Sequence, residues 1–264
     1  MDKKYSIGVF DSGVGGLTVL KELIDLLPYE NIIYYGDSGN SPYGDKTQEE
    51  IEKLCIKIVE FLIEKNCKIM VIACNTATKA AIETLKEKFD IPIIGVIEPG
   101  ARKALEVTKN KNISILSTVF TAKTNAYKEQ LEKLSKEVQV DQIGCKELCP
   151  MIENGWETHE DRLDILKSYI STMDKDSDTV ILGCTHYPLI VSDIKPLVGN
   201  RTIVDPAAET AQVVKNYLEK EDLFNDSKEN GKVSYYVSGN IKMFQELAEK
   251  FLSKKIDEIY QATK

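Results

Sequence analysis

Two stretches 110 residues apart read almost alike: "VIACNTAT" (71–78) and "ILGCTHYP" (181–188). Each is an apolar run, a small residue, a cysteine and a polar pair. Two further echoes keep the same order. "GVIEPGARKAL" (95–105) matches "TIVDPAAETAQ" (202–212) at an offset of 107, and "IGVFDSG" (7–13) matches "ISILSTV" (113–119) at 106. Ordered matches at nearly one spacing predict two similar halves. Any two strand–helix units look somewhat alike. The paired cysteines are what set this echo apart.

Around the echoes, short β-branched runs alternate with helical patterns. "SIGVF", "NIIYYGD", "KIMVIA" and "IPIIGVI" read as strands. Between them, "LTVLKELIDLL", "TQEEIEKLCIKIVEFLIEK" and "TKAAIETLKEKF" carry apolar helical stripes, the second with Thr47 as its N-cap. The order then repeats: "NISILS", the helix "TAKTNAYKEQLEKLSK", "VQVDQIG", a helix over 160–173, "DTVILG", "NRTIVD" and the helix "AAETAQVVKNYLEK". "KVSYYVS" and the helix "NIKMFQELAEKFLSKK" follow. This alternation predicts the α/β class, with two similar doubly wound parallel-sheet domains facing each other across a site. Ligands of such sheets bind at the carboxyl ends of the strands. Asp11, Cys74 and Cys184 each lie just past such an end.

Composition narrows the chemistry. A formal net charge of −8 offers no basic footprint for nucleic acid. No run of 18 apolar residues or secretory leader is present, so the chain reads as cytoplasmic and not membrane-bound. The six cysteines include no C-x-x-C pair, and there are two histidines. That argues against a disulfide framework or a zinc knuckle.

Two thiols on opposite faces of a small substrate can invert a stereocentre. One thiolate removes a proton from carbon, and the other group, as thiol, returns one to the opposite face. Helix N-termini beyond each strand would favour the thiolates. His186 is placed to tune Cys184. Ser12, Asn75, Thr76 and Thr185 supply donors for the charge that develops on a substrate carboxylate. Other residues read more plainly. Cys55 on its helix's apolar stripe and Cys67 leading into a strand read as core, Cys145 and Cys149 sit around a turn with no assigned chemistry, and His159 lies in a charged stretch. Asp11 is either a site residue or a cap for the helix near Leu17. "DSGVGGLT" raises dinucleotide binding as a rival, but Thr18 stands where the third glycine belongs. A metal-dependent hydrolase using Cys74, Cys184, His186 and Asp11 is another rival, and a non-catalytic amino-acid-binding protein a third.

The motifs "IGVFDSGVGGLTVL", "YYGDSGNSPYG", "VIACNTAT", "IPIIGVIEP", "ILGCTHYPL" and "IVDPAAET" run over nearly the whole chain. Together they closely resemble the glutamate racemase family, of the cofactor-independent aspartate/glutamate racemase superfamily. The resemblance implies interconversion of L- and D-glutamate for peptidoglycan synthesis, with no cofactor and no metal, in a homodimer. A racemase for aspartate or another amino acid is the alternative. Carried over, Cys74 faces D-glutamate and is assisted by Asp11; Cys184 faces L-glutamate and is assisted by His186. Glu153 matches the family glutamate when "CKELCPMIENG" is read as "CPxFVPxVExG". Substrate contacts come from Asp11, Ser12, Pro42, Tyr43, Gly44, Asn75, Thr76, Thr121, Thr185 and His186. The chain departs from the family pattern at Ser117, Phe120 and Lys146. The implied domains are 1–98 with 207–264, and 99–206.

Overall fold

The computed structural model describes residues 2–262. The first half runs β1 (Ser6–Asp11), α1 (Leu17–Leu26), β2 (Ile32–Gly36), α2 (Gln48–Glu64), β3 (Cys67–Ile72), α3 (Asn75–Lys88), β4 (Ile93–Gly95) and α4 (Ile97–Val107). Then come β5 (Asn112–Ser117), α5 (Val119–Lys123), α6 (Ala126–Leu134), β6 (Gln139–Gly144), α7 (Leu148–Glu153), α8 (Arg162–Ile170), β7 (Thr179–Gly183), α9 (Val191–Val198) and β8 (Thr202–Val204). Last are α10 (Pro206–Lys220), β9 (Val233–Val237), α11 (Ile241–Leu252) and β10 (Ile259–Gln261).

The strands form two sheets, ordered β10-β9-β2-β1-β3-β4 and β6-β5-β7-β8. Every strand pairing is parallel. The run β2-β1-β3-β4 thus recurs as β6-β5-β7-β8, and the α/β expectation holds. Register repeats too. Phe10 lies opposite Ile72, and Leu116 opposite Leu182. Cys74 and Cys184 each follow two residues later, so equivalent strands deliver them to equivalent places.

The echo of "GVIEPGARKAL" in "TIVDPAAETAQ" is displaced. Met70 pairs with Ile93, and its counterpart Val180 pairs with Ile203, so β4 and β8 correspond at an offset of 110 rather than 107. The expected strand "IPIIGVI" is correspondingly short. It stops at Gly95, and Pro99 falls in the first turn of α4, whereas Pro206 opens α10 directly after β8. Both prolines are tolerated because first-turn N–H groups have no acceptor within the helix.

Other departures are local. The helix expected over "TAKTNAYKEQLEKLSK" breaks into α5 and α6 at Asn125, which sits in the left-handed region at φ 51°. Asparagine reaches that region at little cost. The turn expected around Cys145 and Cys149 contains α7. Thr47 does cap α2, and Glu50 reaches back to the Thr47 N–H at 2.8 Å to complete a capping box.

Each sheet is covered on both faces. Ile7, Val9 and Val71 pack with Leu20 of α1, Val214 of α10 and Phe244 of α11; Ile58 of α2 and Ala81 of α3 cover the other face. In the second sheet, Leu182 packs with Leu166 of α8 and Ile194 of α9. Ile113 and Ile181 pack with Ala101 of α4 and Leu131 of α6.

One buried ion pair ties the return of the chain to the first sheet. Lys68, fully buried on β3, donates to Glu30 Oε2 at 2.6 Å, to the Lys3 carbonyl at 2.7 Å and to the Leu223 carbonyl at 2.8 Å. Glu30 Oε1 accepts the Asn225 N–H at 2.7 Å. Lys68→Met strips these contacts and leaves Glu30 buried without its cation, which costs about 3–5 kcal/mol. Chemical denaturation should show a markedly lower midpoint; an unchanged midpoint would contradict this role.

Candidate active site

Cys74 is the N-cap of α3. Its Sγ accepts the Ala77 N–H at 3.4 Å and donates to Ser12 Oγ at 3.7 Å. Cys184 follows β7, but the next element is a short 3-10 turn, Tyr187–Ile190. The expectation of a helix N-terminus beyond each thiol therefore holds for Cys74 alone. Cys184 instead has His186, whose Nδ1 lies 3.6 Å from its Sγ. His186 Nε2 meets Glu153 Oε1 at 2.9 Å.

Both thiols open on one cavity of about 320 Å³. That is at the small end of the range of roughly 300–1,000 Å³ for ligand pockets. Its walls include Ser12, Pro42, Tyr43, Gly44, Asn75, Thr76, Glu153, Thr185 and His186. Two expected residues do not reach the wall. Asp11 is buried behind it, where Oδ1 accepts the Gly13 N–H at 2.8 Å and Oδ2 accepts the Thr185 hydroxyl at 3.2 Å. Thr121 is fully buried; Thr118 takes the wall position and bonds Thr121 Oγ1 at 3.0 Å.

The two sheets meet at this cavity through specific contacts. Thr76 Oγ1 and Thr118 Oγ1 are 3.0 Å apart. The Tyr127 hydroxyl donates to Asn75 Oδ1 at 2.6 Å, which leaves the amide NH₂ without a share in that bond. The glycine loop closes the other side. A Cβ on Gly15 would fall 2.4 Å from Thr185 Oγ1 and 2.6 Å from His186 Nδ1. Glycine is needed there for close approach of the second sheet's loop, so "DSGVGG" is packed against side chains rather than open to a pyrophosphate. The Pro42–Gly44 wall is held by Tyr43, whose hydroxyl donates to Asp37 Oδ2 at 2.5 Å.

Sequence reasoning missed several wall residues. Cys149 Sγ lies 3.2 Å from Cys184 Sγ, and Cys145 and Lys146 also line the cavity. The signal was present: Cys149 and Glu153 are four apart, which puts them on one face once α7 is helical. Lys146 is the sole Lys or Arg among the lining residues.

Comparison with known proteins agrees with this geometry. Residues 8–214 match the model of the Asp/Glu/Hydantoin racemase family. The chain belongs to that family. It is 48% identical to a glutamate racemase of Fusobacterium nucleatum over 264 residues, which is all of this chain and 99% of that one. A crystal structure of a glutamate racemase isoform from Bacillus anthracis matches with a TM-score of 0.95 at 39% identity, covering 99% of this chain and 98% of that one. A glutamate racemase from Francisella tularensis, in complex with D-glutamate, matches with a TM-score of 0.92 at 32% identity, covering 99% and 98%.

In this racemase-family chain the thiols are largely buried although they line the cavity. Burial, with the charge of Asp11, pushes the Cys74 thiol up to about 12; the Ala77 N–H and Ser12 pull the other way. Burial also drives Cys184 well above the ordinary thiol range, and Cys149 adds to the rise while His186 opposes it. Burial raises Asp11 as well, against the nearby His186 charge and the Gly13 and Gly16 N–H groups. His186 behaves oppositely. Burial alone would lower its pKa, but the bonds to Cys184 and Glu153 raise it well above the usual value.

Burial thus favours the protonated form of both thiols, and the contacts to Cys184 and Glu153 favour the charged form of His186. A histidine raised on folding contributes stability that is full below its unfolded pKa of about 6.5 and is lost as pH rises through the higher folded value. Glu153→Gln removes the carboxylate from Nε2. The His186 ring should then titrate at lower pH by NMR, and the window of that stability should shrink. An unshifted titration would show that Glu153 does not hold the imidazolium.

Proposed function

We propose that the protein is a glutamate racemase that moves the α-proton of glutamate between two opposed thiols. The observation that carries this reading is the opening of Cys74 and Cys184, from matching strand ends of the two sheets, onto one small cavity. The work divides between residues 1–98 with 207–264, which supply Cys74, and residues 99–206, which supply Cys184.

L-glutamate meets Cys184 and D-glutamate meets Cys74. Turnover needs one thiolate. The His186 imidazolium, fixed by Glu153, holds the Cys184 anion. The N-terminus of α3, with the Ala77 N–H, holds the Cys74 anion. The thiolate takes the α-proton, and the opposite thiol delivers its own proton to the other face. One proton leaves carbon and one arrives, so the thiols end with exchanged protonation states. Charge developing on the α-carboxylate is met by the Asn75 amide, the hydroxyls of Ser12 and Thr76, and the first N–H groups of α3, while Thr185, its hydroxyl donated to Asp11, packs the wall beside them. Asp11 acts from behind the wall by orienting Thr185, and Thr121 by orienting Thr118. Pro42, Tyr43 and Gly44 shape the side-chain end of the cavity.

Both proton carriers are side chains, so the chemistry calls for no cofactor. The reading places the protein in the cytoplasm as a homodimer that supplies D-glutamate for peptidoglycan.

Chiral chromatography tests it. Purified protein given L-glutamate should bring the two isomers to equal amounts and should turn over L-aspartate far more slowly. Cys74→Ala and Cys184→Ala should each lose roughly 10²–10⁴-fold in rate, the span of an acid–base group. Full racemisation by either variant would sink the two-thiol mechanism.

A further inference from the structure

A third sulfur stands against the reacting pair. Cys149 on α7 places its Sγ 3.2 Å from Cys184 Sγ, and His186 Nδ1 lies 3.6 Å from that same sulfur. Among the described residues, Cys149, Cys184 and His186 form a group whose donor atoms all lie within 4.8 Å of one another. Cys74 is not part of it.

The spacing suits a tetrahedral ion. With Zn–S near 2.3 Å and Zn–N near 2.0–2.1 Å, two sulfurs sit about 3.8 Å apart and a sulfur and nitrogen about 3.5 Å apart. The Cys184–His186 separation already fits, the Cys149–His186 separation is within 4.8 Å, and the sulfurs need to open by about half an ångström. Two thiolates and an imidazole favour zinc over magnesium or calcium, which take oxygen ligands. Glu153 on Nε2 fixes the ring so that Nδ1 faces the sulfurs, the arrangement that supports metal-bound histidines. All three residues line the cavity, so water or substrate there is at hand for a fourth position.

We propose that Cys149, Cys184 and His186 form an inhibitory zinc-binding site that closes the Cys184 side of the reaction. The inhibition rests on the reading of Cys184 as a proton carrier; the binding does not. On binding, both thiols and the His186 Nδ1 release their protons to solvent, three lone pairs go to the metal, and nothing is oxidised or reduced. The Cys184 lone pair is then no longer available for the α-proton, and the ion occupies space the substrate needs.

The test uses the full chain freed of metal with a chelator. Zinc titration against a chromophoric competitor should show one ion per chain. Cobalt should give the near-ultraviolet thiolate-to-metal absorption of a two-sulfur site. Racemisation should fall in step with occupancy and return on chelation. Cys149→Val should bind zinc at least ~100-fold more weakly, since even supporting partners of metal ligands are worth 10–100-fold. It should also need correspondingly more zinc to halve its own zinc-free rate. Cys149→Ser provides a second variant if valine disturbs packing. Cys74→Ala should bind zinc like the wild type. Equal zinc affinity in the wild type and both Cys149 variants would overturn the site. Stoichiometric zinc binding to a protein that racemises no glutamate when metal-free would overturn the two-thiol reading instead and leave the metal site standing.

Discussion

Parallel pairing is the constraint on which the site depends. A parallel strand carries whatever follows it to the same edge of the sheet as its neighbours' carboxyl ends. Both sheets here are parallel throughout and share the order of four strands and the register across their centre. Cys74 and Cys184 therefore arrive at matching edges without any long loop to place them. The edges are held together by short polar contacts, Thr76 with Thr118, Tyr127 with Asn75 and Thr185 with Asp11. A missing side chain at Gly15 lets them close.

Burial then sets the chemistry. Desolvation favours the protonated form of both thiols, which suits a returning acid and opposes an abstracting base. The two sides offset that cost differently. Cys74 has the start of α3 and fixed dipoles beside it, whereas Cys184 has a histidine that is itself bonded to a carboxylate. The halves are alike in backbone but not in how they stabilise an anion. The same buried, soft-ligand setting around Cys184 brings Cys149 within reach of it, and this is where a thiophilic metal would intrude.

Much of this was legible in the residues. Strand and helix periods exposed the α/β class, and the cysteine echo exposed the repeat of strand order. Several features were not legible, for physical reasons. The break at Asn125 depends on one residue adopting the left-handed region, which no apolar period reports. α7 is a single six-residue stretch, too short for a helical stripe, so Cys149 passed as a turn residue. The displaced echo at "IEP" and "VDP" arose because proline is at home in the first turn of a helix as well as at its first position. Asp11 and Thr121 were grouped with the wall because sequence reports proximity along the chain, not depth. Each proves to lie behind a threonine that does face the cavity.

The opposed-thiol mechanism is tested most directly by isotope incorporation. L-glutamate is incubated with the protein in D₂O and sampled at low conversion. Two thiols predict that the first D-glutamate carries deuterium at the α-carbon, because its proton comes from the solvent-equilibrated opposite thiol, while the remaining L-glutamate stays nearly unlabelled. A single base that swings across the carbon would hand back the proton it removed. Early D-glutamate retaining its original α-hydrogen would contradict the account.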